Sequence, residues 1–239
     1  MDSSEWKKLN SNIQILDTKK KFFNQYYYNV KYFCPGGRII LHHTADIAEA
    51  IDLRHKLSNR AYNYGGSWRV TRAQNDQIDM GQLQSVRDTI QRYQGTLKVR
   101  VEEPNLTFYS MDESMLMDIA TQQLKDHTDK IVSVHRPASA ADLDALSSGA
   151  ILVKNAGNYE YKVFCKEGMC ANKSAIYAYL CAVEDQVHMS PTVRKNLSRP
   201  GDYIWGIWFY TSDPQIAHML NIIEPKFVAN IHKLSVAQQ

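Results

Sequence analysis

Hydrophobic and polar residues alternate with a period of two in several short segments of the chain. The first such segment, residues 26–34, ends at Pro35-Gly36-Gly37, which predicts a strand followed by a turn. Residues 97–101 alternate in the same way, and a second apolar segment, residues 106–110, follows a turn that contains Pro104. These two segments predict a β-hairpin.

Segments with helical periodicity lie between the predicted strands. Apolar residues at helical spacing predict helices over residues 44–60, over 82–93 and after Asp112, while residues 38–41 are predicted to form a short return strand. Residues 130–135 complete the pattern as a further strand. Apart from one inserted helix, the order is β-α-β-β-α-β, which is typical of the ferredoxin-like, or split βαβ, arrangement with antiparallel strands and helices on one face.

The second half of the chain repeats this pattern. Residues 159–165 resemble residues 26–34, and a predicted helix over 173–187 follows. Phe209-Tyr210-Thr211-Ser212-Asp213 matches Phe108-Tyr109-Ser110-Met111-Asp112 in type and order. Chance recurrence of aromatic strands is the alternative, but the conserved order favours duplication. The sequence therefore predicts an α+β protein of two tandem ferredoxin-like units.

The predicted boundaries follow changes in composition. Residues 1–21 are polar, end in three lysines and are predicted to form a mobile or docking arm. Residues 22–136 form the first predicted unit, with its inserted helix. Residues 137–158 begin with an alanine- and serine-rich stretch and are predicted to be a linker, and residues 159–239 form the second unit.

Composition narrows the class of protein. With 44% hydrophobic, 22% charged and 10% aromatic residues, the chain is expected to form a hydrophobic core and does not resemble a disordered protein. Its formal charge of +3 permits a nucleic-acid partner without requiring one, because a local basic surface matters more than the total.

The cellular compartment is predicted from the lack of an apolar membrane span or secretory signal in the sequence and from the cysteines. No apolar run approaches the roughly 20 residues that span a bilayer, and the first residues do not resemble a secretory signal. The four cysteines do not form a disulfide framework. A cytoplasmic location is expected, or a virion if the chain is a subunit of a viral particle.

Few motifs indicate chemistry. Cys165 and Cys170 have C-x4-C spacing, but no second pair follows, so no metal site is predicted. The glycines match neither a phosphate-binding loop nor a dinucleotide fingerprint, and no cofactor is predicted. His42 and His43 lie at a predicted strand–helix junction, where a histidine could act as an acid or base. A metal-independent ribonuclease is therefore kept as a third hypothesis, behind two that need no catalysis.

The leading hypothesis concerns the sheet face that the helices leave open. Alternation places cations and aromatic rings together on this face in both predicted units. Rings stack on unpaired bases and cations neutralise phosphates, so this face is predicted to bind single-stranded nucleic acid. The candidate binding residues are Tyr27, Lys31, Phe33, Lys98, Arg100, Lys162, Phe164 and Lys166.

A second hypothesis explains the same residues without nucleic acid. Lysines and arginines keep a solvent-facing sheet soluble, and aromatic rings on such a sheet could contact neighbouring protein subunits. The chain would then be a structural or assembly subunit of a larger particle, such as that of a virus or phage. Residues 205–210 contain aromatic residues at both strand parities and are predicted to form a strand buried on both faces, at the centre of the second unit or of an interface between the units. A cluster of rings that stacks on a ligand is the alternative.

Overall fold

The structure, a computed structural model, describes residues 3–41, 46–49, 51 and 77–237. The chain divides into two compact units, Met1–Ala138 (unit 1) and Ser139–Gln239 (unit 2). Each unit combines a five-stranded mixed sheet with helices, so the α+β class is confirmed. Across the described ranges, no helix combines the length and the apolar character that crossing a bilayer requires.

Unit 1 starts with a helix and a strand in the region predicted as an arm. Its strands are β1 (Gln14–Asp17), β2 (Tyr28–Phe33), β3 (Lys98–Glu102), β4 (Asn105–Ser110) and β5 (Ile131–Arg136). Helices in the described part of unit 1 include α1 (Ser3–Leu9), α2 (Gly37–Leu41), α3 (Met80–Arg92) and α4 (Glu113–Asp118), and a π-helical turn (Ile119–Gln123) and a 3-10 segment (Lys125–Lys130) extend α4.

The strand order of unit 1 is β1-β5-β2-β4-β3. The pairs β5–β2, β2–β4 and β4–β3 are antiparallel, whereas β1 pairs in parallel with β5. The sheet is therefore mixed and five-stranded, and the prediction of a purely antiparallel four-stranded sheet is wrong. The added strand is held in place because Trp6 and Ile13, on either side of the turn between α1 and β1, are completely buried in the core.

Alternation along the strands positions the core of unit 1. Val30 and Tyr32 on β2 and Leu106 and Phe108 on β4 point to one face and are completely buried. Apolar residues of α3 and α4, among them Leu83 and Leu116, cover this face. Helix α4 begins where predicted, because the Asp112 carboxylate accepts a hydrogen bond from the Ser114 amide at 2.9 Å.

Residues 38–41 form a helix and not the predicted return strand. The carboxylate of Glu103 accepts hydrogen bonds from the amides of Gly36 and Arg38 at 3.1 and 3.2 Å, which stabilises the start of α2. The helix predicted over 44–60 is described only at residues 46–49 and 51, where it is largely helical. His42 and His43 lie outside the described residues.

Unit 2 follows the same plan, with shorter strands apart from the last one. Its strands are β6 (Ile151–Val153), β7 (Tyr161–Cys165), β8 (Gly168–Met169), β9 (Val187–His188), β10 (Tyr203–Ile204), β11 (Trp208–Thr211) and β12 (Val228–Val236). Its helices are α5 (Ala140–Ser147), α6 (Lys173–Ala182), α7 (Pro191–Ser198) and α8 (Gln215–Ile223).

The main sheet of unit 2 has the order β6-β12-β7-β11-β9, which matches that of unit 1 strand for strand. Directions match as well, since β6 is parallel to β12 and the other neighbours are antiparallel. Residues 137–158, predicted as a linker, contribute α5 and β6, the counterparts of α1 and β1. The repeated part therefore starts before Tyr159.

The pairing register identifies equivalent residues in the two units. Val30 lies opposite Phe108 and Val134, and Val163 lies opposite Phe209 and Ile231. In this register the sequence similarity between residues 108–112 and 209–213 falls on equivalent positions of β4 and β11. Asp213 also repeats the role of Asp112, because its carboxylate accepts a hydrogen bond from the Gln215 amide at 2.8 Å.

A short ribbon extends the central strands of unit 2. Phe164 pairs with Trp208 and Met169 with Tyr203, and between them the Cys165 amide donates to the Ile207 carbonyl at 2.9 Å. All three contacts have the same register, so β8 and β10 continue the antiparallel pair β7 and β11. The buried ammonium of Lys173 donates to three carbonyls just before and within β10, those of Arg199, Gly201 and Tyr203, and holds this segment on α6.

Candidate nucleic-acid interface

The open face of unit 1 consists of the side chains that point away from its helices. On β2 these are Asn29, Lys31 and Phe33, since they alternate with the buried Val30 and Tyr32. Register adds their partners on the neighbouring strands, namely Lys98, Arg100, Glu102, Asn105, Thr107, Tyr109, Ser133 and His135. The face is thus largely polar, in contrast to the apolar face beneath the helices.

Three cations lie on the open face of unit 1. Lys31 and Arg100 flank Thr107 in one row across the sheet, and Lys98 lies in the next row. Lys98 and Arg100 are exposed, whereas Lys31 is half-buried between neighbouring strands. Arg100 forms an ion pair with Glu102, and both side chains remain more than half exposed. A screened surface pair of this kind is weak, so Arg100 can exchange this partner for a phosphate.

A loop covers one end of this face. Residues 18–27 connect β1 to β2 and place three rings beside Tyr109, with centroid distances of 5.3 Å for Phe22, 5.0 Å for Phe23 and 6.5 Å for Tyr26. Tyr109 is consequently only 7% exposed, and burial raises its pKa. Phe23 itself is 48% exposed and lies in a left-handed backbone conformation, with φ of 52°.

The lysine run in this loop lines an open cleft of about 550 Å³ with Asp17, Phe22 and His135. His135 contacts Asn29 through its Nδ1 atom at 3.0 Å, and the ring centres of His135 and Phe22 lie 5.5 Å apart with their planes at 82°. Burial, and then the positive charge of Lys31, lower the pKa of His135 below its ordinary value of 6.5. His135 is therefore a neutral hydrogen-bonding group near pH 7.

The open face of unit 2 is aromatic. Lys162 and Phe164 on β7 face Tyr210 and Trp208 on β11, and His188 on β9 pairs with Tyr210. The ammonium of Lys162 lies 3.7 Å from the ring centre of Trp208, 5.0 Å from that of Phe164 and 5.6 Å from that of Tyr210. Cation–π contacts contribute about 0.5–2 kcal/mol, which is comparable to the gain from stacking one base.

Three further ring contacts extend this surface. Tyr159, His188 and Tyr210 have centroids 5.9–6.3 Å apart, and the planes of the two tyrosines differ by 21°, as do those of His188 and Tyr210. His188 is exposed and both tyrosines are half-buried. This part of unit 2 therefore presents near-parallel rings to solvent.

The predicted binding residues fall into separate groups. Lys31, Phe33, Lys98 and Arg100 share the open face of unit 1, while Lys162 and Phe164 share that of unit 2. The other two candidates lie outside the strands. Tyr27 precedes β2, and the ammonium of Lys21 lies 5.3 Å from the centre of its ring. Lys166 follows the last residue of β7 and is exposed.

Sequence reasoning favoured burial for Trp208 and Tyr210 and kept ligand stacking only as the alternative. The prediction that residues 205–210 are buried on both faces is wrong, because only Phe209 and Ile207 are buried. Trp208 and Tyr210 are half-buried on the open face, and Trp205 precedes the strand with 62% of its surface exposed. The alternation about Phe209 was the available signal, but aromatic residues at both parities concealed it.

Two buried cysteines, Cys34 and Cys165, are unsuited to reaction. All four are free thiols, and burial raises the pKa of Cys34 to about 12 and also raises the pKa of Cys165. Within the part of the chain that the structure describes, His, Cys, Asp and Glu form no group of three or more that could hold a metal ion.

Comparison with protein-family models, with curated proteins and with solved structures finds no match to this chain.

Proposed function

We propose that this protein binds single-stranded nucleic acid through the open faces of its sheets, with the cations of unit 1 contacting the phosphates. The observation that carries this proposal is the shared position of Lys31, Lys98 and Arg100 on one sheet face. Neighbouring strands lie about 4.8 Å apart and same-face residues of one strand about 7 Å apart. Cations at these spacings can contact successive phosphates of a flexible strand.

Ring positions support a single strand over a duplex. Phe33 lies on the same face as these cations, and Lys98 lies 5.5 Å from the ring centre of the exposed Phe23. Unpaired bases can stack on such rings, whereas the bases of a duplex are already stacked on each other. A cationic face with exposed rings at its edge therefore favours a strand whose bases are free.

The fold proposed for each unit is a ferredoxin-like domain to which a helix and a parallel edge strand have been added. In unit 1, the antiparallel strands β2, β3, β4 and β5 are separated by α3 and α4 in the order β-α-β-β-α-β, and unit 2 follows the same order with extra short elements. Matching strand orders support descent of the two units from a duplicated domain.

Salt dependence of binding tests the proposal. The double substitution Lys98→Ala and Arg100→Ala should weaken binding of a single-stranded oligonucleotide and reduce the slope of log K against log salt by about 0.7 for each phosphate that is no longer neutralised. Lys125→Ala is the matched control, because Lys125 is exposed in the helical connection that follows α4. An unchanged slope in the double variant would contradict the proposal.

An assembly subunit is the second candidate. Three large side chains on the ribbon of unit 2 are exposed, Met169 to 75%, Trp205 to 62% and Tyr203 to 42%. Tyr203 pairs with Met169 across the ribbon, and its ring lies 4.9 Å from that of Trp205. Exposed tryptophan and tyrosine side chains are common at the centres of protein interfaces.

Sedimentation across a concentration series separates this candidate from the first. An assembly subunit should associate as its concentration rises, and replacing Trp205 with Ser should abolish that association. A nucleic-acid-binding monomer should remain monomeric and keep its affinity for oligonucleotide in the Trp205→Ser variant.

A further inference from the structure

We infer that the open face of unit 2 is a stacking site for unpaired nucleobases, with Trp208 and Tyr210 as its principal rings. This inference rests on the proposed function and deepens it. The cations of unit 1 contribute phosphate contacts, and the rings of unit 2 contribute base contacts beyond those that Phe23 and Phe33 can make in unit 1.

Each unit has a tyrosine at the same position of its open face. Tyr109 in β4 and Tyr210 in β11 occupy the same place in the register, because their strand partners Asn29 and Lys162 are equivalent. A second ring accompanies each of them, Tyr26 at 6.5 Å from Tyr109 and Tyr159 at 6.3 Å from Tyr210. Both accompanying tyrosines lie two residues before equivalent positions at the starts of β2 and β7.

In unit 1, the space beside this tyrosine is filled by side chains of the same unit. The loop between β1 and β2 places Phe22 and Phe23 beside Tyr109 at 5.3 and 5.0 Å, and Tyr109 is buried as a result. Tyr210 is half-buried, and its neighbour His188 is exposed. The loop of unit 1 thus demonstrates that this position accepts planar rings, and unit 2 leaves it accessible to a ring from another molecule.

Lys162 determines what kind of ring-bearing ligand fits. Its ammonium lies above Trp208 at 3.7 Å from the ring centre, so it covers part of the surface on which a base would stack. A nucleotide brings both a base for the indole and a phosphate for the displaced ammonium. An aromatic side chain of a protein brings no anion for Lys162, and the observations therefore favour a nucleotide.

The paired residues of this face also favour an anionic ligand. His188, Tyr210, Lys162 and His232 form one row across β9, β11, β7 and β12, so the cation of Lys162 lies among aromatic rings in this row. Because every base has a flat π-surface, a site built from rings and cations should bind bases with little sequence preference.

Tryptophan fluorescence tests the site without relying on unit 1. Titration with a nucleoside monophosphate, and separately with a short single-stranded oligonucleotide, should quench part of the fluorescence of the full chain. That quenching should be lost in Trp208→Phe and kept in Trp205→Phe, the matched control with its indole on the ribbon. Quenching that persists in Trp208→Phe would overturn the inference.

Binding affinities provide a second test of the inference. An oligonucleotide without bases should bind the wild type about 5- to 100-fold more weakly than the intact oligonucleotide, with a nearly unchanged salt slope. Tyr210→Leu should weaken binding of the intact oligonucleotide within the same range, and Tyr210→Phe should preserve it. Equal affinity for the intact and abasic strands would overturn the inference, and this comparison needs no variant to fold.

The two proposals fail separately. If Lys98→Ala with Arg100→Ala reduces the salt slope but the abasic strand binds normally, unit 1 binds backbone and unit 2 holds no base. If nucleotides quench Trp208 while the salt slope does not respond to these cations, the base site stands and the proposed role of unit 1 falls.

Discussion

The two units share a strand order but differ in what they present on their open faces. In unit 1 the face is polar and cationic, and the loop at one end covers Tyr109 with phenyl rings. In unit 2 the equivalent Tyr210 remains half-buried beside Trp208 and Phe164, and Lys162 lies among the rings. Most side chains at equivalent register positions on these faces therefore differ, and the retained tyrosine differs in exposure, while the strands beneath them keep their pairing.

The buried faces diverge less than the open ones. Phe108 and Phe209 are equivalent, completely buried and each part of the hydrophobic core of its own unit. Close packing constrains a buried position more strongly than a solvent-facing one, because both cavities and overpacking destabilise the fold. The side chains of the open faces are less constrained by packing.

Truncating the equivalent core phenyl rings should produce the largest change in the stability of either unit. We expect Phe108→Ala and Phe209→Ala each to lower the free energy of unfolding of their own unit by about 3–5 kcal/mol, because each leaves a cavity in a packed core. Hydrogen exchange resolved by residue would measure this unit by unit. Equal loss of protection in both units from either substitution would show that they unfold as one cooperative body.

A smaller effect is expected from a buried cluster that unit 1 has and unit 2 lacks. The Glu113 carboxylate accepts a hydrogen bond from the Trp6 indole at 3.0 Å and lies 3.1 Å from Nε of Arg136. The equivalent positions in unit 2 are Pro214 and Lys233, and Lys233 is exposed. Unit 1 therefore ties its first helix to α4 and β5 by an electrostatic contact that unit 2 does not reproduce.

Replacing Glu113 should destabilise unit 1 selectively. Glu113→Ala is expected to cost about 2–3 kcal/mol, because it leaves the guanidinium of Arg136 and the indole N–H without their buried acceptor. Glu113→Gln should cost less, since an amide oxygen can still accept from Trp6. Urea unfolding followed by fluorescence would measure both changes, and equal costs for the two substitutions would mean that the hydrogen bond from Trp6 contributes little and that the charge of Glu113 accounts for the effect.

Alternation and turn residues were sufficient to predict most of the core elements. The hairpin of β3 and β4, the cap at Asp112 and the similarity of residues 108–112 to 209–213 all follow from local sequence, and the structure confirms them. Local sequence could not predict β1 and β6. Each is a short edge strand whose partner, β5 or β12, lies about 80 residues or more away in the chain, so only tertiary pairing defines it.

The candidate site was predicted less completely than the fold. Parity along β2, β3 and β7 placed Lys31, Lys98, Arg100 and Lys162 correctly relative to the buried residues, because period-two alternation is a local property. Coverage is a tertiary property, and the sequence did not indicate that the loop of residues 18–27 would bury Tyr109. For the same reason it did not indicate that Tyr210 would remain accessible.

The smallest effect should be a pH dependence of stability in unit 1 that arises from His135. Burial and the charge of Lys31 lower the pKa of this histidine in the folded state, so the unfolded chain takes up its proton first as pH falls below 6.5. The contribution of His135 to stability is therefore fully present above pH 6.5 and decreases as pH falls toward the lower pKa of the folded state.

His135→Gln should remove this part of the pH dependence, and Lys31→Met should reduce it, whereas Lys125→Met should leave it unchanged. Denaturant unfolding of the four proteins at a series of pH values measures the difference. A pH dependence that is the same in the wild type and in His135→Gln would contradict the lowered pKa of His135 in the folded state.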